Sequence, residues 1–296
     1  MTQIYKVVEK HLKYILVLLI TVLFFQIESH AQNKVLIIGI DGCRPDALLE
    51  ANTPSLDDLW QNGAYTFKAK TDDLSWSGVC WTGMLTGVWS NKHNVTGNQY
   101  SNPNIKEYPH FFKRVKEERP DLKTYSVVNW KPIHTILPEN DAFAVKHQIL
   151  DCLVTSKASK ILKRKDVDAM FVQFDNVDHA GHKTGFSTTN KKYLKSIEKI
   201  DKKIGKILKA LEKRKNYQNE NWLVIVSTDH GGSGTNHGEA TPEHTTIFYI
   251  ASGKDVEQGE IKKQVNVIDV AVTALKHLNI KIKDEWNLDG KVSGLK

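Results

Sequence analysis

The sequence predicts an α/β fold with a mainly parallel central sheet and helices on both faces. Apolar runs of strand length alternate with amphipathic helical patterns along the chain, and neither an internal repeat nor a low-complexity linker interrupts them. Such alternation is typical of parallel strands joined by crossover helices, which cover the sheet on both sides. At 296 residues, the chain is long enough to bury a sizeable core.

Five segments have the composition of buried strands. Each is a short, nearly continuous apolar run rather than an alternating one, as expected for strands covered on both faces. The predicted strands are residues 34–40, 123–128, 169–174, 222–227 and 245–250.

Helices are predicted between and after these strands. Residues 53–63 open with Thr-Pro, a helix start, and close with Asn-Gly, a stop signal. The clearest helix has apolar residues at three- and four-residue steps: Tyr193, Ile197, Ile200, Ile204, Leu208 and Leu211. A closing helix is expected over residues 267–278, entered through Asn266. Residues 97–140 are the least regular stretch and are expected to form a surface excursion near the site.

Charge and composition restrict the kinds of partner. The formal net charge is +7, and much of it lies in the Lys-rich stretches 157–165 and 191–215, which are interpreted as solvated helix faces. A basic balance favours anionic substrates. The chain lacks a basic motif interleaved with aromatic residues, so nucleic-acid binding is not indicated.

The first 31 residues have the pattern of a secretory signal peptide. Lys6, Lys10 and Lys13 precede an eleven-residue stretch, 15–25, with one polar residue, and residues 29–31 (Ser-His-Ala) fit the small-x-small cleavage rule. The apolar run is short for a bilayer span, which needs about 20 residues. We therefore expect a periplasmic or secreted protein, with membrane attachment only if this segment is not cleaved.

The mature chain, residues 32–296, is expected to form a single catalytic domain. Its three cysteines, Cys43, Cys80 and Cys152, are too few for a disulfide scaffold. A disulfide between Cys43 and Cys80 is one interpretation, and small buried thiols are the other.

Acidic residues follow three predicted strands at the same topological position. Asp41, Asp178 and Asp229 each lie beyond the carboxyl end of a separate strand, where ligands bind in open α/β sheets. Each alone would suit an ordinary turn. Three carboxylates at one edge repel one another strongly unless cations lie between them, so the pattern predicts a metal centre.

Histidines accompany these carboxylates. Asp and His are ligands that zinc prefers, and three imidazoles occur in the same segments: His182, His230 and His237. Three carboxylates and three imidazoles are enough for two metal sites.

Other residues compete for ligand roles, namely His179, His244 and Asp175. His179 would point away from its neighbour Asp178 on an extended segment. His237 is preferred over His244 because it occupies a His-Gly turn, and the geometry calls for a ligand on a loop.

Residues 74–87 supply the candidate nucleophile. Ser77 is placed like an N-cap before a short apolar segment, and a helix N-terminus there would offer backbone N–H groups to a phosphate. A metal contact would lower the pKa of the serine hydroxyl and activate it. Spacing alone leaves Ser75 as an alternative.

These motifs together resemble the type I phosphodiesterase/nucleotide pyrophosphatase family of the alkaline phosphatase superfamily. The resemblance extends from about residue 34 to 290. It implies an alkaline-phosphatase-like fold and hydrolysis of phosphodiester or pyrophosphate bonds in a small anionic phosphoester. The motifs that carry it, in order, are residues 38–46, 53–59, 85–87, 92–93, 178–182, 228–231 and 236–238.

The resemblance also implies two zinc ions, or other divalent metals in their place. The ligands of the first would be Asp41, Asp229 and His230 with the Ser77 oxygen. Those of the second would be Asp178, His182 and His237. Family members carry the nucleophile nine residues before the Thr of a Thr-Gly pair, which here is Thr86, and this count selects Ser77 over Ser75.

Substrate contacts are expected beside the nucleophile. Many relatives have Asn three residues after it, and that position is Cys80 here. Trp76 and Trp81 flank the nucleophile and would stack on a base or aryl leaving group, or else pack in the core. The chain also lacks room for the large substrate-recognition insertions of many relatives.

The sequence leaves three alternative functions open. A phosphomonoesterase would need an arginine clamp, for which Arg44 is the nearest candidate. A sulfatase would need Pro and Arg after its nucleophile, and the residues after Ser77 lack this pattern. From another class, the chain would be a catalytically inactive binding module for phosphorylated glycans or lipids.

Overall fold

An eight-stranded mixed sheet is the centre of the computed structural model, which describes residues 31–296. The strands are β1 (Gln32–Ile40), β2 (Ala64–Lys70), β3 (Thr124–Val128), β4 (Ala144–His147), β5 (Ala169–Phe174), β6 (Glu220–Ser227), β7 (Thr246–Ser252) and β8 (Gly259–Glu260). Their order is β4-β3-β5-β1-β6-β7-β2-β8. β4, β3, β5 and β1 pair in parallel, whereas β7 runs antiparallel to both β6 and β2. The predicted mainly parallel sheet is confirmed.

Ten α-helices lie within the described residues. They are α1 (Pro45–Glu50), α2 (Pro54–Gln61), α3 (Ser77–Thr86), α4 (Ser90–His93), α5 (Phe111–Glu118), α6 (Asp151–Arg164), α7 (Asn176–Thr184), α8 (Lys191–Glu212), α9 (Pro242–Thr245) and α10 (Asp269–His277). No helix in residues 31–296 has both the length and the apolar character needed to cross a membrane. The segment interpreted as a signal peptide lies outside the described residues apart from Ala31, and its cleavage stays a prediction.

The core consists of two layers, one on each face of the sheet. Alternate residues of β1 point to opposite layers, with Val35 and Ile37 in one and Leu36 and Ile38 in the other. Apolar residues of α3, α5 and α10 pack in the first layer, and those of α1, α2, α6 and α8 pack in the second. The predicted helices on both faces are therefore confirmed.

The five predicted strands and the three predicted helices are present, with small shifts at their ends. The closing helix is shorter than expected, because it begins at Asp269 with Ile268 as its N-cap rather than Asn266. The expectation of a surface excursion over residues 97–140 is only partly confirmed, because residues 97–110 are irregular but the middle of the stretch belongs to the core. α5 and β3 lie within this stretch, and Phe111 and Phe112 are fully buried.

One close contact joins β1 to the helix that follows the second strand. Trp81 of α3 is fully buried, and its ring lies so near Gly39 that a Cβ there would be 2.3 Å from Trp81 Cη2. The indole Nε1 donates to Asp41 Oδ2 at 3.0 Å. The glycine therefore makes room for the side chain that orients the first strand-end carboxylate.

We predict that Gly39→Ala lowers the free energy of unfolding by about 1–3 kcal/mol, because the added methyl group overpacks the core against Trp81. Urea denaturation measures this. The matched control is Gly83→Ala in α3, where a Cβ would meet its nearest atom at 3.4 Å, an ordinary contact. Alanine is also the better helix former, so the control should be neutral or slightly stabilising. Equal stability of the Gly39 variant and the unmodified protein would contradict the packing argument.

Candidate metal centre and active site

Three neighbouring strands bring the predicted carboxylates to one edge of the sheet. β5, β1 and β6 are adjacent in the sheet order. Asp41 directly follows β1, Asp229 lies two residues beyond β6, and Asp178 lies in the first turn of α7 after β5. Gly42 has a φ of +61°, and a Cβ at this position would lie 2.6 Å from Asp178 Oδ1. Glycine thus lets the turn after β1 approach α7 closely.

The segment after β5 is helical rather than extended. Asp178 and His182 are four residues apart on α7, with His182 Nε2 3.3 Å from Asp178 Oδ2. The extended conformation assumed for His179 is therefore wrong, because α7 begins immediately at Asn176. His179 is exposed on another side of this helix.

Each of the three histidines is oriented by a backbone carbonyl. Their Nδ1 atoms lie within hydrogen-bond distance of three carbonyl oxygens: His182 with Thr235 at 2.7 Å, His230 with Gly231 at 2.7 Å, and His237 with Ser75 at 2.9 Å. A carbonyl accepts only from a protonated nitrogen, so Nδ1 carries the hydrogen and Nε2 is left as the candidate ligand atom. These three carbonyl partners were not predicted from the sequence.

The Nε2 atoms face the carboxylates. Two groups have ligand atoms all within 4.8 Å of one another: Asp178 with His182 and His237, and Asp41 with Asp178 and His230. Asp229 Oδ2 lies 3.4 Å from His230 Nε2 and so adjoins the second group. The arrangement brings all six predicted Asp and His ligands together, with Asp178 between the two groups.

The carboxylates have oxygens that no protein donor satisfies. Within the described residues, one buried oxygen of each lacks a hydrogen bond: Asp41 Oδ1, Asp178 Oδ1 and Asp229 Oδ2. Buried polar atoms are rarely left without a partner. Carboxylate oxygens and imidazole nitrogens are the donor set that zinc binds. The residues present therefore fit a metal centre.

Electrostatics in the metal-free protein show how crowded this edge is. Burial lowers the pKa of His230, but the charges of Asp229 and Asp41 outweigh burial and raise it to about 10. Burial and the neighbouring His230 lower the pKa of His237 to about 3. The two rings stack with centroids 3.7 Å apart, so only one of them carries a proton charge. Burial and Asp41 raise the pKa of Asp229.

The two other competing residues have different surroundings. Both ring nitrogens of His244 are occupied, with Nε2 2.8 Å from Ser233 Oγ and Nδ1 accepting from the Glu239 N–H. The structure thus places His237, and not His244, beside the carboxylates of the candidate metal centre. Asp175 caps α7 near the cluster, and burial together with the charges of Asp41 and Asp178 raises its pKa to about 8.

The two candidate nucleophiles are clearly distinguished by their contacts. Ser77 is the first residue of α3, with Trp76 as the N-cap, and its Oγ lies 3.1 Å from His230 Nε2. Ser75 Oγ instead donates to the Glu239 carbonyl and accepts from Gly238 N. Ser75 therefore holds the loop that carries His237, whereas Ser77 faces the metal ligands.

Asn98 is a site residue that sequence reasoning missed. Its Oδ1 accepts from Gly78 N at 2.8 Å, next to Ser77, which leaves the amide nitrogen as a donor beside the nucleophile. Asn98 lies 21 positions after Ser77, outside any local motif.

Cys80, expected to contact substrate, is fully buried, and its Sγ donates to the Leu74 carbonyl. The expectation for Cys80 is wrong because its position on α3 faces the interior.

The two tryptophans have opposite environments. Trp81 is fully buried and hydrogen-bonded to Asp41, so of its two alternatives packing in the core is confirmed and contact with substrate is wrong. Trp76 is 41% exposed, and its ring lies edge-on to His237 at 5.5 Å.

The cysteines are free thiols, so the Cys43–Cys80 disulfide is absent.

A pocket opens beside Asn98. It has a volume of about 470 Å³, and its lining includes Tyr100 together with Lys131 and His134 of the 3₁₀ turn Lys131–Thr135. The Tyr100 hydroxyl has no hydrogen-bond partner in the described residues. Burial and the charges of Asp41 and Asp229 raise its pKa.

Arg44 is not available as a phosphate clamp. Its guanidinium makes a bidentate contact with Asp46, at 2.9 and 2.6 Å. It also donates to the carbonyls of Phe186 and Gly232. All three guanidinium nitrogens donate in these contacts, which hold the loops together.

The fold and site define a member of the alkaline phosphatase superfamily. Residues 35–140 and 123–285 match the family model of type I phosphodiesterase/nucleotide pyrophosphatase. The chain belongs to the type I phosphodiesterase/nucleotide pyrophosphatase family.

Curated relatives are similar over part of their length. The 2,3-bisphosphoglycerate-independent phosphoglycerate mutase of Mycoplasmoides gallisepticum is 29% identical over 184 residues, 61% of this chain and 31% of that protein. The enzyme of the same name from Clostridium tetani is 27% identical over 168 residues, 54% of this chain and 29% of that protein. The chain spans about a third of the length of these relatives.

Solved structures show the same fold at low identity. A 2-O GAG sulfatase superposes with a TM-score of 0.71 at 14% identity, over 90% of this chain and 76% of that chain. Murine ectonucleotide pyrophosphatase/phosphodiesterase 5, in complex with AMP, superposes with a TM-score of 0.67 at 15% identity, over 84% of this chain and 96% of that chain.

We predict that Asp229→Asn stabilises the metal-free protein and weakens its response to zinc. The Asn oxygen can still accept from Gly42 N, as Asp229 Oδ1 does at 3.1 Å, while one of the crowded charges is removed. In EDTA we expect the free energy of unfolding to rise by about 0.5–2 kcal/mol. Zinc at a hundredfold excess over Kd should stabilise the unmodified protein by about 2.7 kcal/mol for each site that it fills, and the variant by less.

Urea denaturation with EDTA or zinc measures both effects. Asp201→Asn is the matched control, because Asp201 is buried and accepts from Leu56 N, with burial raising its pKa, but outside the metal ligands. Its zinc response should equal that of the unmodified protein. An undiminished zinc response in the Asp229 variant would contradict the metal site.

Proposed function

We propose that this protein hydrolyses phosphodiester or pyrophosphate bonds through a phosphoseryl intermediate on Ser77. The observation that carries the proposal is the position of Ser77 Oγ, 3.1 Å from His230 Nε2 and next to six convergent Asp and His side chains. Membership of the phosphodiesterase family supports the reaction class.

The proposed cofactor is a pair of zinc ions held by the six ligands. One ion would be held by Asp41, Asp229 and His230 with the Ser77 oxygen, and the other by Asp178, His182 and His237. When bound, the metals supply positive charge that activates the serine and stabilises the leaving oxygen. Placement of charge is the main catalytic device in phosphoryl transfer.

The side chains around Ser77 position the phosphorus atom. Ser77 Oγ would form the new bond to phosphorus as the bond to the leaving oxygen breaks, and water would then hydrolyse the phosphoseryl ester. Asn98 would donate from its amide nitrogen to a phosphoryl oxygen, because its Oδ1 is already fixed on Gly78 N. The start of α3 adds the partial positive charge of a helix N-terminus.

The pocket beside Asn98 is the proposed place of a substrate group flanking the phosphate. Its volume of about 470 Å³ is in the range of small-molecule sites, and Lys131 contributes a cation to its lining. This supports a small anionic phosphoester as substrate. We also propose a periplasmic or secreted location, which rests on the sequence of residues 1–31 alone.

We predict that Ser77→Ala lowers kcat by about a thousandfold or more, because no other hydroxyl takes its place as nucleophile. Metal analysis should still return about two zinc ions, since the six Asp and His ligands remain. Ser75→Ala is the matched control. It should retain a phosphoseryl intermediate, detectable by mass spectrometry after acid quench, even where loosening of the His237 loop lowers the rate. Near-normal turnover by the Ser77 variant would refute the assignment.

We predict that diesters are cleaved at least about tenfold faster than monoesters, a difference of roughly 1.4 kcal/mol in the barrier. The physical reason is the commitment of Arg44 to Asp46 and two carbonyls, which leaves the extra charge of a monoester without an arginine partner. Initial rates of the zinc-loaded protein on p-nitrophenyl phosphate, its bis-ester and a nucleotide phosphodiester measure this. An aryl sulfate is the control for sulfatase activity. A tenfold preference for the monoester or the sulfate would replace the diesterase proposal.

A further inference from the structure

Positive charge is concentrated on two helices outside the candidate active site. α6 and α8 together contain twelve Lys and Arg residues against four Asp and Glu. Two of the four acids, Asp151 and Asp201, are buried at 0% and 1% exposure and do not offset the surface charge. The formal net charge of the whole chain is only +7, so this face is far more basic than the rest of the molecule.

The lysines line two neighbouring depressions along α8, which together are called the groove below. A depression of about 490 Å³ between α6 and α8 is lined by Lys199, Lys202, Lys203 and Lys206 opposite the α6 residues Ser156 and Ser159. A second depression of about 270 Å³ lies between α7 and α8, and its lining includes Lys183 and Lys192. Both depressions share Lys199 and Lys203 in their linings, and neither lining contains Asp or Glu.

These six lysines lack a close carboxylate partner in the described part of the chain. In residues 31–296, none of them forms an ion pair. Between Lys192 and Lys206, α8 has two acids: Glu198, which pairs with Lys195 at 2.7 Å, and the buried Asp201. Like charges one helical turn apart destabilise a helix slightly, and an external anion would relieve that repulsion.

We propose that this groove binds a linear polyanion. Lys192 and Lys206 are fourteen residues apart on α8, a span of about 21 Å at 1.5 Å per residue. Lys199 and Lys203, like Lys202 and Lys206, are one helical turn apart, about 6 Å along the same axis. One small anion would contact a fraction of this row, whereas a chain of anionic groups neutralises all of it.

The shape of the groove favours a polymer over a membrane surface. The lysines of α8 and the hydroxyl groups of α6 form opposing walls, which a chain lying in the groove would contact together. A flat bilayer would contact only the side chains at the outer edges of the groove. Lysine recognises phosphate and sulfate alike as a point charge, so the recognised chemistry is regularly spaced negative charge.

The groove begins one helix away from the metal ligands. Asp178 and His182 of α7 belong to one of the two candidate ligand groups. His179 and Lys183 of the same helix line the depression between α7 and α8. An α-helix with side chains is about 10 Å wide. If the proposed function holds, the groove would retain the remainder of an anionic polymer whose phosphoester reacts at Ser77. Polyanion binding itself does not depend on that function.

The test compares two quadruple variants of the full mature protein. The groove variant replaces Lys199, Lys202, Lys203 and Lys206 with Gln. The control removes the same charge from exposed lysines elsewhere, Lys254, Lys263, Lys276 and Lys281. Gln and Lys have similar helix propensities, so the fold should be kept. The probes are fluorescent long-chain polyphosphate, dextran sulfate, orthophosphate as competitor, and phosphatidylglycerol vesicles.

We expect the groove variant to bind polyphosphate at least about tenfold more weakly, with the salt-dependence slope reduced by about four, one for each lysine. The control should change less than about twofold. Dextran sulfate should follow the same pattern. Both variants should cleave the aryl bis-ester at the unmodified rate, because none of these lysines touches the candidate active site.

Three results would overturn the proposal. They are an equal loss of binding in the control variant, competition by orthophosphate at the same phosphate concentration, and tighter binding to the vesicles than to either polymer. An unmodified protein that binds polyphosphate through the groove and fails to cleave any diester would refute the proposed function while leaving the groove assignment intact.

Discussion

The hydrogen bonds between three imidazoles and three backbone carbonyls are the constraint on which the site depends. With Nδ1 held by the carbonyls of Thr235, Gly231 and Ser75, every Nε2 faces the carboxylates at the end of the sheet. Those carboxylates follow β5, β1 and β6, and they lie side by side because these three strands are neighbours in the sheet. The result is a buried cluster of like charges that lowers the stability of the fold unless cations neutralise it. The fold thus gives up some stability for a candidate metal centre whose side chains are already assembled.

The packing around this cluster leaves little freedom for its members. Asp41 Oδ2 accepts both from the buried Trp81 and from Gln173 of β5, so one oxygen is fixed and the other is directed at the ligand groups. Gly39 and Gly42 provide the space that these close approaches need. Residues outside the cluster thus set its geometry. Replacing them is therefore expected to weaken metal binding, even though they do not contact the metal.

The molecule separates two kinds of charge. Negative charge is gathered at the carboxyl ends of the strands, where bound metals would reverse its sign and attract a phosphoester. Positive charge is gathered along α6 and α8, and α7 lies between the two, with residues of the ligand group and of the groove lining on the same helix. An extended anionic substrate would meet favourable potential at both places, which steers association as well as strengthening binding.

The sequence by itself determined the fold class, five of the strands, the long amphipathic helix and the identity of the Asp and His residues at the sheet edge. These features depend on local periodicity and on the rule that strand ends carry ligands, and both can be read along the chain. The tertiary structure decided what depends on contacts between distant segments. Asn98 beside Ser77, Trp81 under Asp41, the buried side of Cys80 and the commitment of Arg44 all involve partners brought together by folding. The helical form of the segment from Asn176 to Thr184 also escaped prediction, because its polar ligand residues mask the apolar periodicity by which helices are recognised.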